Sequence, residues 1–187
     1  NPITVKYLGN LKSLIELEMS SCTFLEGSER DLSLLSGLKK LTMDDNKYIS
    51  FKERDDGYLC HLTGLKVLSL DSITSVKYLC SLRDLESLKL DGLTRGISFV
   101  DLGTLDCLSS LHLDFPEYIS LEGISQFCPN LEYLELYTEG DGVYICQNIK
   151  QLVGLSKLKS LVITDYYDND FNINCNIRVS QIGDICR

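Results

Sequence analysis

Residues 79–90 read Leu79-Cys80-Ser81-Leu82-Arg83-Asp84-Leu85-Glu86-Ser87-Leu88-Lys89-Leu90, a leucine at every third position closing on a pair two apart. The same frame returns downstream as Leu102, Leu105, Leu108, Leu111 and Leu113, and again as Leu152, Leu155, Leu158, Leu161 and Ile163. Upstream it appears as Leu59, Leu62, Leu65, Leu68 and Leu70, as Leu32, Leu35, Leu38, Leu41 and Met43, and as Leu8, Leu11, Leu14, Leu17 and Met19. One further copy is irregular: Ile124 and Phe127 slip by one before Leu131, Leu134 and Leu136.

The third position of each copy falls at 14, 38, 65, 85, 108, 131 and 158, in steps of 24, 27, 20, 23, 23 and 27 residues. The terminal pair has a period of two, so both side chains point to one face of a short strand. The leucines three apart suit a 3₁₀-like or short helical turn, where residues i and i+3 eclipse. One copy cannot bury that many leucines alone, and stacked copies bury them between neighbours. The strands then form a parallel sheet, about 30 Å across at about 4.8 Å per strand.

This pattern resembles the leucine-rich repeat family over residues 7–164. The resemblance implies an α/β solenoid with a parallel concave β-sheet and short helical or irregular convex segments. It implies one domain over residues 1–187, of about seven repeats, with 165–187 a partial eighth repeat or a cap. Ile177, Val179, Ile182 and Ile185 read like the convex half of that eighth copy, and no cap is evident at either end. The expectation is a piece of a longer repeat protein. Many family members end each motif with an Asn that bonds adjacent turns, but here the column reads Cys22, Asn46, Ile73, Leu93, Pro116, Glu139 and Tyr166. The turns after the strands are therefore expected to be irregular. Residues 8–22 are similar to repeats of plant-type intracellular immune receptors. Residues 127–136 look like the cysteine-containing repeats of F-box adaptors.

Composition agrees with a repeat. Leucine fills 34 of 187 positions while Ala and Trp are absent, a poor match to helical solenoids, which pack through small residues. The net charge of −9 disfavours nucleic acid and anionic membranes as partners, since phosphates reward dense Lys and Arg. No apolar run approaches the roughly 18 residues that cross a bilayer, so no membrane insertion is expected. The eight cysteines form neither CxxC pairs nor zinc spacing with His61 and His112, and Asn-X-Ser/Thr does not occur. Reduced, mostly buried thiols in a cytoplasmic setting are the expectation.

Residues alternating with the strand leucines face the other way and form the candidate binding surface. Asp44, Asp71, Asp91 and Asp114 share one column in consecutive copies, a stack that costs stability unless Lys40, Lys89 or a partner neutralises it. Such an acidic stripe would steer a basic protein partner. Tyr133 and Tyr137 add exposed aromatic area of the kind favoured at hot spots, with Phe115, Tyr118, Tyr144, Tyr166 and Tyr167 nearby. The expected contact set is Asp71, Lys89, Asp91, His112, Asp114, Tyr133, Glu135 and Tyr137. Insertions at Asp44–Tyr58 and Tyr137–Gln151 are a second place for function.

Ser110, His112 and Asp114 share a strand face and suggest a catalytic triad. Residues i and i+2 of a strand stand about 6.6 Å apart, too far for the hydrogen bonds a triad needs. No phosphate-cradling loop, metal motif or nucleophile elbow occurs elsewhere. The expected function is non-catalytic protein–protein recognition without a cofactor. Two alternatives stay open: the sensor arm of an immune-receptor-type signalling ATPase, or a structural segment packed on another domain of its own protein.

Overall fold

The structure is a computed structural model that describes residues 5–20, 28–44, 56–71, 76–92, 98–115, 120–138 and 149–165. The motif column Cys22 to Tyr166, Tyr118, Tyr144, Tyr167, the insertion residues 45–55 and 139–148, and the C-terminal stretch 166–187 lie outside the described residues.

Each leucine pair forms one strand: β1 Glu16–Glu18, β2 Lys40–Met43, β3 Val67–Asp71, β4 Ser87–Asp91, β5 Ser110–Phe115, β6 Tyr133–Thr138 and β7 Ser160–Asp165. They make one seven-stranded sheet in chain order, each pair parallel. The register keeps like positions together, so Leu17, Leu41, Leu68, Leu88, Leu111, Leu134 and Leu161 form one row. A one-residue slip would turn every leucine to solvent, which is why the period specifies the pairing so strongly.

The threefold spacing is realised as 3₁₀ hydrogen bonding. Five 3₁₀ segments, Val5–Asn10, Ser28–Leu34, Asp56–His61, Lys77–Ser81 and Ile149–Gly154, lie opposite the sheet. The leucines themselves close the i→i+3 rings: Leu62 N donates to Leu59 O and Leu65 N to Leu62 O, both at 2.9 Å. Two turns widen to a single α turn, α1 at Phe99–Leu102 and α2 at Ile124–Phe127.

α2 explains the irregular copy and corrects its reading. Cys128 N donates to Ile124 O at 2.8 Å, an i→i+4 bond that absorbs the extra residue. Cys128, fully buried, therefore takes the inward place, and Phe127 packs only partly against the core.

One continuous hydrophobic core runs between sheet and turns, with Leu38, Leu65, Leu85, Leu108 and Leu131 all at 0% exposure. β1 is the exception. On that first described turn Leu11 is 48% exposed, although its counterparts Leu35, Leu62, Leu82, Leu105 and Leu155 are all at 0%.

Adjacent turns are also tied by backbone. Ile15 O accepts from the N–H groups of Lys39 and Lys40, and Lys39 O, Lys66 O, Glu86 O, Ser109 O and Glu132 O each accept two in the same way. This ladder stands at the strand entrance, one residue ahead of β1 to β6. It satisfies backbone donors turn after turn without any asparagine.

Of the eight cysteines four lie among the described residues, Cys60, Cys80, Cys107 and Cys128, all free thiols. Only Cys128 is buried, whereas Cys80 and Cys107 are exposed. Each of those two is a direct neighbour of an inward leucine, and the tight turn points the neighbour outward.

Candidate functional site

Strands β4, β5 and β6 present their polar residues on the open face of the sheet. The register sets Lys89 against His112 and His112 against Glu135 as one row. One step along the strands, Asp71 pairs with Asp91 and Asp114 with Tyr137. All eight expected contact residues thus fall on β3 to β6.

Five of them join into one network. Lys89 Nζ lies 2.6 Å from Asp91 Oδ2, while Asp91 Oδ1 faces His112 Nε2 at 3.2 Å. His112 Nδ1 lies 2.9 Å from Glu135 Oε2, and Tyr137 OH donates to Glu135 Oε1 at 2.8 Å. The His112 and Tyr137 rings are 4.9 Å apart between centroids, tilted by 39°. Asp91 Oδ1 has lost its water and makes no well-aligned hydrogen bond, so its contact with His112 is an ion pair rather than a directed bond.

Burial and charge oppose each other throughout the network, and charge prevails. Burial pushes His112 toward its neutral form, yet the carboxylates of Asp91 and Glu135 outweigh it and hold its pKa above the usual imidazole value. Burial likewise works against the charges of Asp91 and Glu135. The His112 and Lys89 contacts of Asp91, and the His112 and Tyr137 contacts of Glu135, bring both below the usual carboxylate range. Lys89 is raised: Asp91 more than offsets its desolvation.

The aspartate column is therefore partly neutralised from within the protein, by His112 and Lys89 at Asp91. Two copies back in the column, Asp44 accepts a hydrogen bond from Ser69 Oγ at 2.6 Å. That contact draws Ser69 down to 7% exposure on an otherwise solvated face. The pairing of Ser69 with Asp44 was not anticipated, although both occupy outward positions of neighbouring copies.

Tyr133 stands apart from the network. It is 50% exposed at the entrance of β6, flanked in register by the small side chains of Ser110 and Ser160. Ser110 and Asp114 do not join His112 as a triad, since both ring nitrogens of His112 face carboxylates of neighbouring strands. Among the described residues no three His, Cys, Asp or Glu side chains are grouped as metal ligands.

One strand per turn, inward leucines, a polar outer row and 3₁₀ turns behind the sheet define a leucine-rich repeat solenoid; the chain has the leucine-rich repeat fold. A leucine-rich repeat protein of Leptospira interrogans is similar, at 25% identity and a TM-score of 0.64, over 84% of this chain and 40% of that one. Internalin C2 of Listeria monocytogenes is similar at 21% identity and a TM-score of 0.60, over 92% of this chain and 74% of its own. A second Listeria monocytogenes internalin, InlF, matches at 21% identity and a TM-score of 0.52, over 84% of this chain and 50% of its own. The chain thus spans less than half of the Leptospira protein. No protein-family model and no curated protein matches it.

Proposed function

We propose that this chain is a non-catalytic protein-recognition module that binds its partner on the open face of β3 to β6. The observation that carries this reading is the network Lys89–Asp91–His112–Glu135–Tyr137 beside the half-exposed ring of Tyr133. Charged side chains held in fixed positions lose little entropy on binding, and a half-exposed tyrosine is the kind of anchor that dominates interface energy. The leucine-rich repeat fold of the similar structures supports an interaction role in general. In this reading the partner has basic character, contacting Asp71, Lys89, Asp91, His112, Asp114, Tyr133, Glu135 and Tyr137. A cytoplasmic setting belongs to the same proposal. Among the described residues no helix is long and apolar enough to cross a membrane.

Capture by the full-length protein tests the reading. Wild type should retain a specific partner that Tyr133→Ala and the Asp71→Lys, Asp91→Lys, Asp114→Lys triple variant both lose. An unchanged partner set would move the site away from this face.

A second reading has its own observation. Tyr7 and Leu11 on the first described turn are 71% and 48% exposed, whereas their counterparts Tyr58, Tyr78, Leu35 and Leu62 are buried. This supports a segment packed against another part of a larger protein, including the arm of a signalling ATPase. A GxxxxGK[ST] loop in the full-length gene decides between arm and free-standing module.

A further inference from the structure

The network presents four carboxylate oxygens to four donors only if His112 carries two protons. Asp91 Oδ2 meets Lys89 Nζ, Glu135 Oε1 meets the Tyr137 hydroxyl, and the remaining two oxygens each face one nitrogen of the same ring. A neutral imidazole has one N–H, so one of those oxygens would face a lone pair. The two contacts are unequal. Glu135 is held at 2.9 Å in a hydrogen bond, whereas Asp91 Oδ1 lies at 3.2 Å, out of solvent and without an aligned donor.

We infer that His112 gates the charge of this face: protonated, it ties Asp91 to Glu135 and closes the network on itself; deprotonated, it frees Asp91 Oδ1, while Lys89 keeps Oδ2, and the freed oxygen accepts a lysine or arginine side chain from a protein partner. The inference rests on the reading of this face as a protein-binding surface. Lys89, Asp91, His112 and Glu135 sum to zero charge with the proton in place. Loss of that proton leaves one net negative charge on a face flanked by Asp71 on β3 and Asp114 on β5. The groups that face His112 are Asp91 and Lys89 from β4, and Glu135 and Tyr137 from β6. The overall charge of −9 favours the same cationic partner. The partner therefore binds more tightly as pH rises through the His112 pKa, in the range above the ordinary imidazole value of about 6.5.

Two measurements on the full chain test this. With His61→Gln, His112 is the only imidazole left of two, and its NMR titration should show a pKa above about 6.5. A hexalysine peptide at low salt should bind several-fold more tightly at pH 8.5 than at pH 6, as expected for one added charge at contact distance. His112→Gln should flatten that dependence, and Asp91→Asn should remove the gain at high pH, with circular dichroism confirming both fold. A His112 pKa at or below 6.5, or an unchanged pH dependence in His112→Gln, overturns the gate. If hexalysine binding depends on Asp71 and Asp91 but not on His112, the binding surface stands and the gate is discarded. If neither aspartate affects binding at pH 8.5, or no binding occurs, the basic-partner reading falls and the gate with it.

Discussion

His112 on β5 and Glu135 on β6 stand directly opposite one another in the sheet, with Nδ1 and Oε2 2.9 Å apart. The contact crosses from one repeat to the next, so it ties the stacking of repeats to the protonation of one side chain. Its His112 end is only 20% exposed, which limits screening by salt.

Stability should vary with pH in two opposite senses. His112 has a raised pKa in the folded protein, so its contribution is complete below the unfolded value near 6.5 and is lost as pH rises through the folded value. Asp91 and Glu135 have lowered values, so their contribution is present above the unfolded carboxylate range and is lost as pH falls through the folded values. Urea midpoints should therefore peak between these two limits. His112→Gln should abolish the alkaline decline, about 1 kcal/mol for a partly solvated charged contact, while the acid decline persists. A profile that still falls on the alkaline side in His112→Gln contradicts the assignment.

Leucines of the same motif should differ widely in worth. Leu111 is 1% exposed in the middle of the core, and Leu111→Ala should cost about 2–5 kcal/mol. Leu11, from the first copy, is 48% exposed, and Leu11→Ala should cost no more than about 1 kcal/mol. Equal costs in urea denaturation would show that burial differs from that described.

Gly103 allows neighbouring turns to approach. Its φ is +65°, and a Cβ there would lie 2.9 Å from the Cβ of Cys80. Gly103→Ala should destabilise by about 1–3 kcal/mol through left-handed strain and the clash. Combining it with Cys80→Gly should recover the clash but not the strain. No recovery in the double variant would separate the two residues.

Thiol reactivity should divide the cysteines. Burial pushes the Cys128 thiol up to about 12, so almost no thiolate forms near neutral pH. Exposed Cys80 and Cys107 should label with a maleimide under native conditions, and Cys128 only on unfolding. Mass spectrometry of tryptic peptides reads the order, and early labelling of Cys128 would place it outside the core.

Much of this architecture is written locally. A leucine at every third residue imposes the 3₁₀ ring, seen where Leu85 N donates to Leu82 O, and the closing pair imposes a strand. Both periods survive tertiary packing because each copy repeats the same local preference, so the strands β1 to β7 and the outward positions Lys89, His112 and Glu135 follow from counting residues. The slip near Phe127 was equally visible, but whether Phe127 or Cys128 turns inward depends on a hydrogen bond to Ile124 that spacing does not specify. The exposure of Cys80 and Cys107 escaped for a similar reason: composition ranks cysteine as buried, and only the turn geometry aims it outward.

The charge relations belong to a different level. Lys89, Asp91, His112 and Glu135 come from three repeats, and no local rule says which rotamers bring Nε2 to one carboxylate and Nδ1 to another. The sequence alone determined the solenoid, its register and the identity of the exposed rows, because those depend on periodic side-chain size along one chain. Tertiary structure alone decided that an apparent column of like charges is bridged by a lysine and an imidazole, because Coulomb forces act through space between strands and depend on distances of a few ångströms.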